Sequence, residues 1–103
     1  MLNEYDVRKE ISEIERSEAN PIRKARYLVA IARNLTRNAG RLGHGVSILT
    51  RDGMDDEAGR LQRTAQRLSS LNREVMDRAR LILAQAKTAK ARTDAMQPFS
   101  ALN

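Results

Sequence analysis

Arginine gives this 103-residue chain its one strong chemical signature: of nineteen basic residues, fifteen are arginines. A guanidinium presents a planar fork of donors that grips a carboxylate or phosphate at two points, where lysine offers a point charge. The arginines are also unevenly placed. Residues 21–51 hold seven bases, all arginine except Lys24, and no acid, whereas residues 1–20 hold six acids against three bases. Counted at 100° per residue, Arg23, Arg26, Arg33, Arg37, Arg41 and Arg51 fall within an arc of about 80° on one helix. Arg60, Arg63, Arg67, Arg78 and Arg92 fall within about 60° on the next. An ordinary solvated face would explain stripes of charge, but it mixes Glu with Arg four residues apart, and residues 21–51 have no acid to mix. The expected binding set is therefore Arg33, Arg37, Arg41, Arg60, Arg63 and Arg67, directed at an acidic protein surface or at phosphates.

No other constellation competes. His44 is the single histidine, in Leu-Gly-His-Gly-Val-Ser. Phosphotransfer helical bundles hold such a histidine in mid-helix with a lysine shortly after it; here glycine flanks it on both sides and Ser47 stands in the lysine's place. Histidine phosphotransfer is thus a distant third reading. Asp52, Asp55, Asp56 and Glu57 lack the calcium-loop spacing and suit the positive end of a helix dipole. With no cysteine, no metal-binding His pair, no Ser/His/Asp set and no phosphate-cradling glycine loop, the chain is not expected to be an enzyme or to hold a metal, cofactor or small-molecule ligand. Tyr5, Tyr27 and Phe99 are its only aromatics, too few for stacking on unpaired bases. Nucleic-acid binding, if it occurs, would be sequence-nonspecific contact with the phosphates of a duplex or a structured RNA. No apolar run is long enough for a transmembrane segment, and Met-Leu-Asn-Glu-Tyr-Asp does not read as a secretory signal, so a cytoplasmic protein is expected.

The elements that must position the arginines are readable from a seven-residue count. From Met54 to about Arg92, one seam position takes Ala58, Ala65, Asn72, Ala79 and Ala86; three residues after each stand Leu61, Leu68, Val75, Ile82 and Ala89. This 4-3 alternation is a coiled-coil seam, and alanine at one of its positions lets two backbones approach closely. Asn72 is a polar intruder whose best-attested use is to fix register by pairing with another polar group. The same rule recurs upstream in Ala25, Leu28, Ala32, Leu35, Ala39, Leu42, Val46 and Leu49. The two stretches are therefore expected to fold back on one another as an antiparallel hairpin through the turn dipeptide Asp52-Gly53. In that register Leu49 meets the level of Ala58 and Ile22 that of Ala84. Arg37 and Arg41 then share a height with Arg63 and Arg67, and the expectation is one patch of four guanidiniums.

The expected fold is all-α: an elongated antiparallel helical hairpin with a shorter N-terminal helix, one domain over 1–103. A first helix spans about 3–18, capped by Asn3 and carrying Val7, Ile11 and Ile14 on one face. A second spans about 21–51 from Pro21, with a short loop at 40–45 as the alternative because Gly40, Gly43 and Gly45 weaken it. A third spans about 54–92, followed by an irregular tail over 93–103. Its overhang beyond the second helix is where the first is expected to rest. A helix of that length runs about 58 Å, so the chain buries little by itself and should self-associate as a homo-oligomer or dock into a larger assembly. Leu71, Met76, Leu81 and Leu83 lie off the seam and form the expected docking surface. The leading functional reading is a non-enzymatic binding or scaffolding subunit for an acidic protein partner.

Overall fold

A computed structural model describes residues 3–101 of the chain, with side chains as far as residue 95. It contains three helices and, among the described residues, no strand: α1 (Glu4–Arg16), α2 (Pro21–Arg51) and α3 (Asp55–Ala101). The long pair α2 and α3 form the antiparallel hairpin and α1 lies along it. The molecule measures 77 × 21 × 13 Å, with a radius of gyration of 19.9 Å. A compact chain of this size would have a radius of about 13 Å.

Each helix end has a local cause. Asn3 accepts from the Tyr5 N–H at 2.9 Å to open α1. Ser17 closes it, its N–H and hydroxyl both donating to the Ile14 carbonyl. Asn20 accepts from the Arg23 N–H at 2.9 Å and Pro21 takes the first position of α2, where its missing N–H costs nothing. At the hairpin turn, Gly53 N–H donates to the Thr50 carbonyl and Met54 N–H to that of Leu49, with Gly53 at φ 77°. That pair of bonds is a Schellman cap, and its left-handed residue is one that glycine adopts without strain. Asp55, Asp56 and Glu57 then occupy the positive end of α3.

The seam is buried as its residue types require. Ala25, Leu28, Ala32 and Leu35 of α2 share one core with Leu68, Val75 and Ala79 of α3, Ala58 and Ala65 are buried nearer the turn, and Ala39, Leu42, Val46, Leu49, Leu61 and Ile82 are half-buried along the seam. α2 is continuous through its glycines, so no loop interrupts 40–45. Gly45 has a positive reason to be glycine: a Cβ there would stand 2.9 Å from Cδ2 of Leu61 on the facing helix.

Three expectations need correction. α3 does not give way to an irregular tail at 93 but continues past Gln97-Pro98 to Ala101. The seam fades after Ala86 because α2 has ended at that level, yet alanine, lysine and arginine sustain a helix without a seam. Ala89, counted as a seam residue, is accordingly exposed. Finally, α1 does not rest on the overhang. It lies farther toward the hairpin turn, burying Val7 and Ile11 against Ile31, Leu35, Leu71 and Val75, where two apolar side chains can each gain about 1.5–3 kcal/mol by burial.

Candidate functional site

An antiparallel hairpin has two long grooves, one on each side of its seam. In the seven-residue count, the position preceding each alanine-type seam residue faces one groove, and the position following each alanine-type residue by four faces the other. The first groove holds Ile31 and Leu71, and α1 fills it. Ion pairs tie α1 to α3 there: Arg8 Nη1 donates to Glu74 Oε2 at 2.8 Å and Arg78 Nη1 to Glu15 Oε1 at 3.2 Å. Lys24 Nζ reaches back to the Glu15 carbonyl at 3.0 Å, covering a free carbonyl at the end of α1. Glu74 first, and Glu4 second, hold the Arg8 guanidinium above its ordinary value. All four bridging side chains are 38–48% exposed, so each pair contributes at most about 1 kcal/mol.

The second groove, across the seam at the same height, is open. Val29, Ala32 and Met76 line it, with Thr36 and Asn72 at its middle and Arg33 and Arg37 along its α2 edge. Asn72 Nδ2 donates to Thr36 Oγ1 at 2.7 Å, the polar pairing expected of an asparagine in a seam. Counting in sevens along the same edge places Arg26 beside Arg33 on α2 and Arg73 and Arg80 on α3, all exposed. Of these, Arg80 meets Asp77 at 3.4 Å. Among the described residues, Arg26, Arg33, Arg37 and Arg73 have no carboxylate within 4.0 Å.

The expected patch of four guanidiniums is divided. Each arginine stripe lies opposite its own seam, and because the seams face one another the stripes face apart, on opposite edges of a hairpin 21 Å wide. Arg37 borders the open groove with Arg33. Arg60 and Arg63 border a shallow depression beside Asp55 and Asp56, and Arg60 pairs with Glu57 at 3.4 Å. Arg41 and Arg67 are exposed on the side that carries α1, nearer the hairpin turn. The arginines that line a common depression are Arg33 with Arg37 and Arg60 with Arg63.

The expected docking surface divides as well. Leu71 is 1% exposed and belongs to the core under α1, which corrects its assignment. Met76 is half-buried in the open groove, and Leu83, 40% exposed, stands one heptad further along that side. Leu81, 58% exposed, lines a separate apolar depression with Ile82, Ala86 and Ala89 where the α1–α2 link meets α3. Sequence reasoning missed Thr36 as a groove residue and Arg73 as an edge arginine. The signal was present: each is found by extending the heptad count one position beyond the seam.

His44 is exposed on the outer face of α2. No group of three or more His, Cys, Asp or Glu among the described residues could hold a metal ion, and no helix among them is long and apolar enough to cross a membrane. What the fold and the groove define is an elongated three-helix protein with one face of its hairpin uncovered. Compared with protein-family models, curated proteins and solved structures, the chain has no match.

Proposed function

We propose that this chain is a non-enzymatic binding or scaffolding subunit that holds an acidic protein partner through its arginine-bearing hairpin face and the apolar strip within it. The observation that carries the reading is the open groove. Its floor is apolar, its α2 edge carries arginines, and α2 supplies no carboxylate to neutralise them. An interface of this kind draws affinity from the buried apolar centre and orientation from the charged rim. A cytoplasmic setting goes with the proposal, as does membership of a larger assembly. Two copies meeting by this face would oppose arginine with arginine, which favours a partner of different sequence.

Phosphate contact is the second reading, favoured by the outward arginine stripes on the two edges of the hairpin. Titration of the purified, nuclease-treated chain at about 0.15 M salt separates the two. Binding to an acidic polypeptide such as polyglutamate, without measurable binding to a DNA duplex or a structured RNA, supports the proposal. Binding to nucleic acid alone, weakening steeply and linearly in log–log salt, overturns it in favour of phosphate contact.

A further inference from the structure

The two grooves of the hairpin sit at one height, and one of them shows what such a groove accepts. α1 is an amphipathic helix: it buries Val7 and Ile11 on the floor of its groove and sets Glu15 against Arg78 at the edge. Its residues belong to the acid-rich first twenty of the chain. The open groove repeats the arrangement with its own apolar side chains, Val29 and Met76 in place of Ile31 and Leu71, and with Arg33 and Arg37 on its rim instead of an arginine already paired. We infer that the open groove is the docking site for one amphipathic α-helix of a partner protein, carrying carboxylates on its flanks and lying across the seam from α1 to complete a four-helix bundle. This inference rests on the acidic-partner reading and gives that partner its form.

Charge selects the occupant. A second copy of the hairpin face would bring its own arginines to the rim, and a basic amphipathic helix would meet the same repulsion. A helix fits better than an extended strand, because a groove between two helices offers rows of side-chain hollows and no free backbone edge for a strand to pair with. The depression around Leu81 makes a weaker case: of the charged groups on its rim, Glu15 and Arg78 pair with each other and Lys24 already donates to the Glu15 carbonyl. The depression by Asp55, Asp56, Arg60 and Arg63 is likewise charge-balanced.

The test uses the full chain and three fluorescent stapled peptides of about twenty residues, a length that spans the groove and holds a helix. One has leucines at i, i+3, i+4 and i+7 with glutamates on both flanks. The second scrambles that composition, and the third replaces each glutamate by lysine. Anisotropy should show the patterned acidic peptide binding about tenfold or more tightly than either control. Arg33→Glu with Arg37→Glu should cost about tenfold in that affinity, while Arg63→Glu with Arg67→Glu should change it by less than about threefold. All four side chains are exposed, so neither pair should disturb the fold, and circular dichroism checks that. If the scrambled acidic peptide binds as well as the patterned one, the acidic-partner reading stands and the helix-in-groove inference falls. A loss that follows Arg63 and Arg67 instead moves the site out of the groove and also overturns it. If neither acidic peptide binds, both readings fall.

Discussion

Asn72 and Thr36 join the two long helices at the middle of the open groove, Nδ2 of the asparagine donating to Oγ1 of the threonine at 2.7 Å. The threonine hydroxyl passes its own hydrogen on to the Ala32 carbonyl at 3.0 Å, so the three groups form a short relay with each donor used once. The pairing selects one register. Sliding α3 by a heptad in either direction would set Asn72 at the level of Val29 or Gly43, neither of which has a side chain that can accept. A double-mutant cycle of Asn72→Ala and Thr36→Val, followed by urea unfolding, should give a coupling energy of about 1 kcal/mol. A coupling below about 0.3 kcal/mol would remove this pair as the register lock.

The hairpin is legible in the sequence because alanine and leucine keep a single seven-residue phase from Ala25 to Leu49 and again from Ala58 to Ile82. Thr36 was not legible as the partner of Asn72, since it stands outside that phase. Nor was the side taken by α1. Val7, Ile11 and Ile14 could in principle lie in either groove; the choice goes to the one floored by Ile31 and Leu71, where Glu74 and Arg78 also meet Arg8 and Glu15. Once α1 is placed, Leu71 becomes core and Met76 does not. The end of α3 was misread for a different reason, since the end of a seam marks where the partner helix stops and not where the helix itself stops.

The glycines of α2 and the turn should separate by environment. Nothing lies within 4 Å of a Cβ added at Gly40 or Gly43, so alanine there should stabilise by about 0.5–1 kcal/mol each through helix propensity alone. Gly45→Ala should gain clearly less, because Leu61 must turn away from a methyl 2.9 Å from its Cδ2. Gly53→Ala should instead cost about 1–2 kcal/mol, since φ 77° is a conformation that a side chain resists. Chemical denaturation of the four single variants checks the order; a destabilised Gly40→Ala would argue against a continuous α2.

Leu71, Leu81 and Leu83 are chemically identical and differ in what covers them. Leu71→Ala should lose about 2–5 kcal/mol, the ordinary cost of emptying a fully buried leucine site. Leu81→Ala and Leu83→Ala, at 58% and 40% exposure, should each stay within about 0.5 kcal/mol of the parent. Thermal or urea unfolding of the isolated chain decides this. A Leu71→Ala variant as stable as the other two would mean that α1 does not cover its groove in solution.

The overhang of α3 should be dispensable for stability. Beyond Ala86 no residue of α2 remains to face it, and residues 87–95 are all exposed. A helix without tertiary contacts is held only by its own weak propensity and opens locally at little cost. Ending the chain after Lys90 should therefore change the unfolding free energy by no more than about 0.5 kcal/mol, while lowering the helical ellipticity in proportion to the residues removed. Amide exchange should agree, with residues 91–95 exchanging far faster than Leu68 to Ala79 in the same helix. A truncated chain weakened by more than about 1 kcal/mol would show that the overhang is held by a contact, and a loss that appeared only as protein concentration rose would identify that contact as a second copy.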